Sequence, residues 1–210
     1  RYDTVEAGAA LGVDRGEGFY YTRWGNPTTA ELEARVALLE GGEMAIATGS
    51  GMGAISTVIL GLLQSGDHLV APRGTYQASY ELFAQILPRY GIAATLIDRV
   101  DVEAYEAALR PETKIVYVET PNNPLLDVTD IAGVVRIAHA HGALVVVDNT
   151  FASPYNQNPL VLDADALQAA RRERLDEARH QLVAARAAED ERVAHDAHRH
   201  AELGADGGGQ

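Results

Sequence analysis

A glycine-rich loop at residues 48–53, Thr-Gly-Ser-Gly-Met-Gly, is the first part of the sequence that could do chemistry. It follows a short apolar run and leads into an apolar segment that begins at Gly51. Small residues let the backbone approach a ligand closely, and the free amides at a helix start favour an anion, most often phosphate. The loop therefore indicates a phosphate site, although a glycine-rich turn needed only for packing would leave the same pattern.

Dinucleotide binding is an alternative, because Gly49-x-Gly51-x-x-Ala54 nearly matches the fingerprint for that ligand. The fingerprint also requires an acidic residue at the far end of the next strand. Asp67 lies before that strand, and the far end of the strand is Pro72, which is not acidic. The sequence therefore disfavours a dinucleotide.

Asp148 is the second candidate, because it follows the wholly apolar run 144–147. A carboxylate buried there needs a cationic or hydrogen-bonding partner, since burying it alone costs several kcal/mol. An aspartate that only caps a turn would also fit this position. Tyr76 and Asn123 add an aromatic face and an amide. With the glycine-rich loop and Asp148, they would suit a phosphorylated, flat, protonated pyridine.

Helix and strand patterns alternate regularly between residues 28 and 148 and must position these groups. Thr28 and Glu31 have the spacing of a capping box and predict the first helix start. Strands such as 144–147 are apolar without alternation, as expected for a parallel sheet with helices on both faces. Ligands collect at the carboxyl ends of strands in such α/β sheets. The predicted helices are 28–40, 51–64, 76–90, 102–109 and 129–141, and the predicted strands are 43–48, 69–72, 92–97, 114–119 and 143–148.

Composition excludes several classes of partner and chemistry. The chain has 210 residues, 47% of them hydrophobic, which allows one ordinary domain with a core. Its formal charge of -13 argues against nucleic acids and anionic membranes, and the lack of cysteine excludes disulfides and thiolate chemistry. No apolar run approaches the roughly 20 residues that span a bilayer. No charged-then-apolar signal segment is visible either, so we expect a cytoplasmic protein. We also expect the true start to be missing, because the chain opens at Arg1 without an initiator methionine.

The composition changes near Asp163, after which Ala, Arg, Glu, Asp and His dominate. These residues favour helix, but the apolar stripe is thin. We interpret 163–210 as an atypical helical polar tail that results from a shifted reading frame or a misassembled gene, with a genuine fused helix as the alternative. Histidines near its end are interpreted as a solvated helix face, so no metal site is predicted. They are His195, His198 and His200.

Short motifs follow one another in a fixed order between residues 20 and 160. They are Tyr21-Thr-Arg23-Trp-Gly-Asn26-Pro27-Thr28, Ser50-Gly51-Met52, Gly66-Asp67-His68, Glu119-Thr-Pro-Asn-Asn123-Pro124 and Val147-Asp148-Asn149-Thr150-Phe151. In this order they resemble the N-terminal and central part of the Cys/Met-metabolism family of pyridoxal-phosphate (PLP) enzymes. That family includes cystathionine γ-synthase, cystathionine γ-lyase, methionine γ-lyase and the O-acylhomoserine sulfhydrylases.

The resemblance implies a fold of type I, like that of aspartate aminotransferase. Residues 1–27 would form an N-terminal arm, and 28–162 an incomplete PLP-binding large domain. Gly51 and Met52 would offer backbone amides to the PLP phosphate, with Ser50 beside them. In this family the arm residues reach the phosphate of a neighbouring subunit. These arm residues are Tyr21 and Arg23.

The resemblance also implies contacts with the cofactor ring. Tyr76 would stack on the pyridine and assist proton transfer, and Asn123 would hydrogen-bond the ring hydroxyl. Asp148 would keep the pyridine nitrogen protonated, which makes the ring an electron sink. Thr150 belongs to the same motif as a further cofactor contact. Gln77-Ala78-Ser79 departs from the glycine-containing loop that is usual in the family.

The chain leaves the family pattern after Asn158-Pro159-Leu160. There the family continues to the lysine that forms the Schiff base with PLP, and later to a C-terminal domain that supplies an arginine for the substrate carboxylate. This chain continues without either. Its one lysine, Lys114, precedes an apolar strand at the amino edge of the sheet. We therefore predict that the chain as written is inactive.

At family level, the resemblance implies transsulfuration chemistry in a cytoplasmic homo-oligomer. The substrates would be cystathionine, methionine or an O-acylhomoserine, converted by γ-replacement or by γ- or β-elimination. Synthase, lyase and sulfhydrylase activities are not distinguished. Two alternatives stay open: a non-catalytic PLP- or phosphate-binding module with an interaction helix, and a nucleotide-binding α/β domain.

Overall fold

The computed structural model of the chain describes residues 4, 19, 21–22, 25–170 and 181–185. Within these residues, one mixed seven-stranded sheet carries helices on both faces. The strands are β1 (Met44–Thr48), β2 (His68–Pro72), β3 (Ala93–Ile97), β4 (Thr113–Glu119), β5 (Leu144–Asp148), β6 (Ala166–Ala170) and β7 (Gln181–Ala185). The helices are α1 (Pro27–Glu40), α2 (Gly51–Leu62), α3 (Gln77–Glu81), α4 (Val102–Ala108) and α5 (Ile131–His141).

The central strands run parallel in the order β3-β2-β4-β5-β6, and β7 pairs antiparallel with both β6 and β1. Strands β2, β4 and β5 are buried along almost their whole length, because helices cover both faces. The register sets Glu119 opposite Asp148 and Ile115 opposite Leu144. Both carboxylates therefore lie at the carboxyl edge of the sheet, where the ligand site was predicted.

Two apolar layers hold the helices to the sheet. One layer joins α2 and the helical segment after β2 to the face that carries Tyr117, and Phe83 packs edge-on against that ring with centroids 4.9 Å apart. The other layer joins α4 and α5 to the opposite face through Tyr105, Val134 and Val145. Successive strand residues point to opposite faces, so each strand contributes to both layers. The predicted α/β sheet with helices on both faces is confirmed.

The first helix, α1, begins one residue earlier than predicted and has a different cap. The Asn26 Oδ1 accepts hydrogen bonds from the amides of Thr28 at 2.9 Å and Thr29 at 3.3 Å. Pro27 occupies the first helical position. The capping box predicted from Thr28 and Glu31 is therefore wrong, because proline is pre-organised for that position and asparagine caps a helix at least as well as threonine.

The helix predicted at 76–90 forms, but its hydrogen bonding changes along its length. After α3 come a π-helical turn at Leu82–Ile86 and a 3-10 turn at Leu87–Tyr90. Pro88 has no N–H to donate, which removes one helical hydrogen bond. Gly91 ends the segment in the left-handed conformation at φ 75°. Within the described part of the chain, no helix is long and apolar enough to cross a membrane.

Two segments of the predicted helical tail are strands instead, namely β6 and β7. In β6, Ala166 and Leu167 are 5% and 1% exposed. A position inside the sheet that buries apolar side chains outweighs the helix propensity of alanine and leucine. The sheet therefore extends past residue 162. The rest of the predicted helix, at 171–180 and beyond 185, lies outside the described residues.

Candidate cofactor site

The start of α2 presents backbone amides at the carboxyl end of β1. Ser50 caps this helix, because its Oγ accepts a hydrogen bond from the Gly53 amide at 3.0 Å. The Thr48 hydroxyl donates to the Ser50 carbonyl at 2.8 Å. The amides of Gly51 and Met52 belong to the first turn, where a helix supplies no acceptor of its own. This helix start can therefore hold an anion.

Asp148 ends β5 as a buried carboxylate that is 4% exposed. Its Oδ2 accepts a hydrogen bond from the Tyr117 hydroxyl at 2.9 Å. Its Oδ1 accepts from the amide and the hydroxyl of Thr150 at 3.0 and 2.5 Å. Burial raises the pKa of this carboxyl, and the hydrogen bonds lower it only in part. A cationic group placed against Asp148 would favour the charged form.

A second buried carboxylate, Glu119, lies opposite Asp148 at the end of β4. Its Oε2 accepts hydrogen bonds from the Thr75 hydroxyl and from the Tyr76 amide, the latter at 2.8 Å. Its Oε1 accepts from the backbone N–H of Asn123 at 3.1 Å. Burial raises the pKa of Glu119, the Thr75 hydrogen bond lowers it, and the Asp148 charge raises it further. Two neighbouring carboxyls with raised pKa values thus share this edge.

A line of polar side chains connects the start of α2 to Asp148. The buried Ser79 hydroxyl in α3 donates to the Met52 Sδ at 3.9 Å. The Tyr117 phenol oxygen is the alternative acceptor for that single Ser79 proton, and burial and the Asp148 charge raise the pKa of Tyr117. Because Tyr117 donates to Asp148, the geometry of the carboxylate depends on both helices that pack on this face.

Asp148→Asn is expected to stabilise the ligand-free chain at neutral pH and to have little effect near pH 4. Because the folded state raises the pKa of Asp148, folding stability falls as pH rises from the ordinary carboxyl pKa of about 4 through the raised value. The amide cannot titrate and keeps an oxygen for Thr150. In thermal unfolding, the melting temperature of the variant should exceed that of the parent by a margin that grows between pH 4 and 7, where each 1 kcal/mol corresponds to roughly 2–4 °C for a chain of this size. A difference independent of pH would contradict the assignment.

Comparison with known proteins identifies the family. The model of the family described as "Cys/Met metabolism PLP-dependent enzyme" matches residues 1–171. The chain belongs to this family. Its members are PLP-dependent, which agrees with the resemblance seen in the motifs and with a fold of type I.

Individual relatives match the same region. L-methionine gamma-lyase of Porphyromonas gingivalis is 46% identical over 165 residues, covering 78% of this chain and 41% of that protein. Cystathionine gamma-lyase of Bacillus subtilis is 47% identical over 148 residues, covering 70% and 39%. The crystal structure of metB from Corynebacterium glutamicum matches with a TM-score of 0.78 and 38% identity, covering 84% of this chain and 47% of that one. The chain spans less than half the length of these relatives.

Most of the predicted cofactor contacts gather at the carboxyl edge of the sheet. Tyr76 directly precedes α3 and is 46% exposed. Tyr21 is exposed and Arg23 lies outside the described residues, so their contact with a neighbouring subunit stays a prediction. Among the described residues, no group of three His, Asp or Glu side chains could hold a metal ion, and the histidines of the tail lie outside them. The predicted residues at the edge are Ser50, Gly51, Met52, Tyr76, Asn123, Asp148 and Thr150.

Sequence reasoning missed the part that Glu119, Tyr117 and Ser79 play at this edge. Glu119 follows an apolar strand as Asp148 does, so the same argument about a buried carboxylate would have found it. A tyrosine inside an apolar strand predicts packing, and nothing in the sequence gives the bond from its hydroxyl. Ser79 lies where the chain departs from the usual glycine-containing loop, and the structure shows that this serine contacts Met52.

Lys114 lies at the amino edge of the sheet, as predicted. It is the second residue of β4 and is exposed, and it lines a groove of about 470 Å³ together with Gln64, Asp67 and others. Glu119 ends the same strand, roughly 16 Å away at about 3.3 Å per residue. A lysine side chain is too short to cover that distance, so Lys114 does not reach the site.

Proposed function

We propose that this chain forms the PLP-binding part of an enzyme of sulfur amino-acid metabolism and that, as written, it holds the cofactor without turning over substrate. The observation that carries the proposal is an anion-binding helix start at Ser50 and a buried carboxylate, Asp148, at one edge of the sheet. PLP has both matching groups, a phosphate and a ring nitrogen that can be protonated. The raised pKa of Asp148 means that a cationic nitrogen against it would favour the ionised carboxylate. The residues present therefore fit the family's cofactor.

Each part of the site would act on a different part of the cofactor. The amides at the start of α2 would bind the phosphate. Tyr76 would cover the ring face and assist proton transfer, and Asn123 would hydrogen-bond the ring hydroxyl. Asp148 would hold a proton at the ring nitrogen, and Thr150 fixes the orientation of this carboxylate through two hydrogen bonds. When bound, PLP supplies an electron sink for a carbanion.

The substrate class follows from the relatives. Their names are those of methionine and cystathionine gamma-lyases, a probable cystathionine gamma-synthase and an O-succinylhomoserine sulfhydrylase. These names support a small sulfur amino acid or an O-acylhomoserine as substrate, converted by γ-replacement or by elimination. The working enzyme would be a cytoplasmic homo-oligomer in which Tyr21 and Arg23 contribute to a neighbouring subunit's phosphate site.

Cofactor binding can be tested with a ligand that forms no lysine adduct. The ligand 4-deoxypyridoxine 5′-phosphate has the phosphate and the pyridine of PLP but no aldehyde, so its binding involves no lysine adduct. We expect the chain to bind it in isothermal titration calorimetry. Ser50→Asp should weaken binding by roughly tenfold or more, because a carboxylate still caps α2 but repels the phosphate. Ser50→Asn is the matched control, since asparagine is an equally good cap of the same size without the charge.

The two variants decide between the proposal and its alternatives. Equal affinity in Ser50→Asp and Ser50→Asn would show that the phosphate does not lie at α2. No binding by the parent chain would contradict the proposal itself. Stabilisation by a nucleotide in place of the pyridine ligand would favour the nucleotide-binding alternative.

A further inference from the structure

Glu119 joins two loops that are distant in sequence. The Thr75 and Tyr76 donors belong to the connection between β2 and α3, and the Asn123 amide belongs to the loop after β4. Glu119 itself is 5% exposed. Each carboxylate oxygen serves one of the two loops, so the side chain holds them at a fixed separation.

Two of the three hydrogen bonds that Glu119 accepts come from backbone N–H groups, so Glu119 acts mainly on the backbone of the two loops. By accepting hydrogen bonds from the backbone N–H groups of Tyr76 and Asn123, the carboxylate fixes the backbone positions from which these two side chains extend. The Tyr76 ring and the side-chain amide of Asn123 stay available for a ligand. A buried charge is costly and is not needed to hold a sheet together, because main-chain bonds do that. The ligand site, and not the stability of the sheet, therefore accounts for a buried carboxylate at position 119.

We infer that Glu119 is a positioning residue, which sets Tyr76 and Asn123 relative to each other so that both contact one cofactor ring. The inference rests on the proposed function, because the ring is that of PLP. Glu119 acts through these two residues and does not itself touch the cofactor.

A glutamine at position 119 cannot replace the carboxylate. Both carboxylate oxygens accept from backbone amides, whereas a glutamine has one accepting oxygen and one NH₂ group. In Glu119→Gln, the NH₂ group must face an N–H of Tyr76 or of Asn123, so one loop loses its acceptor. Glu112→Gln is the matched control, because it makes the same change at an exposed residue just before β4, at the opposite edge of the sheet.

The first measurement is amide hydrogen exchange on the ligand-free chain. In Glu119→Gln, the amide of Tyr76 or of Asn123 should exchange at least about tenfold faster, as expected for the loss of one charge-assisted hydrogen bond. The amides inside β4 should be unchanged in both variants. Exchange at Tyr76 and Asn123 that stays as in the parent would overturn the inference. If Glu119→Gln does not fold, Glu119→Asp replaces it, since it keeps the charge and is one methylene too short to reach both loops.

The second measurement is a double-mutant cycle on binding of 4-deoxypyridoxine 5′-phosphate. Glu119→Gln should weaken binding by about tenfold in the parent, corresponding to one charge-assisted hydrogen bond. The loss should be much smaller in a background where alanine replaces whichever residue, Tyr76 or Asn123, shows the faster amide exchange. Equal losses in the two backgrounds would show that Glu119 does not act through that residue and would overturn the inference. If the parent binds no ligand, the proposed function fails, and hydrogen exchange alone decides whether Glu119 positions the two loops.

Discussion

The purified 210-residue chain, incubated with PLP and a sulfur amino acid, is expected to give no more product than free PLP gives. Covalent PLP catalysis needs an amine at the cofactor aldehyde, with a pKa low enough for nucleophilic attack and proton transfer. The sequence has one lysine, Lys114, and it lies at the amino edge of the sheet. Positioning of reacting groups contributes a large part of enzymatic rate enhancement, so an amine roughly 16 Å from Glu119 along β4 cannot substitute.

The assay has clear controls. Cystathionine, methionine and an O-acylhomoserine with a thiol should each be tested, with pyruvate, 2-oxobutyrate and thioether products quantified against PLP alone. Lys114→Ala should leave the result unchanged. Borohydride reduction followed by peptide mapping would reveal any adduct at Lys114. Turnover that disappears in Lys114→Ala would overturn the prediction.

The strands and helices of the sheet were predictable because local pattern and tertiary packing agree there. The predicted strand at 143–148 is observed as β5 (Leu144–Asp148), and the predicted strand at 114–119 as β4 (Thr113–Glu119). In both, an unbroken apolar run matches burial on both faces of a parallel sheet. Gly142 ends α5 in the left-handed conformation, at φ 77°, directly after the last residue of the helix predicted at 129–141.

Other features depend on contacts that sequence alone does not contain. The tail residues in β6 favour helix by propensity, yet they lie beside β5, and burial of Leu167 decides their conformation. Asn26 and Thr28 are both possible caps of α1. Pro27 favours the first helical position, which makes Asn26 the cap. The role of Glu119 requires that loops after two different strands meet, and only the sheet order β2-β4-β5 brings them together.

Asp148→Asn is expected to reduce turnover by about 10³-fold in an enzyme that combines this chain with the family's lysine and C-terminal domain. The neutral amide cannot hold a proton at the ring nitrogen, and breaking a buried charge pair costs about 3–5 kcal/mol, at tenfold in rate per 1.36 kcal/mol. Tyr117→Phe, which removes one hydrogen bond to the same carboxylate, should cost about tenfold or less. Steady-state kinetics on cystathionine or methionine would measure both effects.

A cofactor with a fixed charge separates this role from simple damage to the site. In PLP methylated at the ring nitrogen, the positive charge is permanent and no longer depends on Asp148 for its proton. Activity of Asp148→Asn should therefore rise with the methylated cofactor, whereas the parent should gain nothing. The same substitution should stabilise the ligand-free chain at neutral pH, because it removes a buried carboxyl of raised pKa. Near-normal turnover of Asp148→Asn with ordinary PLP would show that the ring nitrogen is held by another residue.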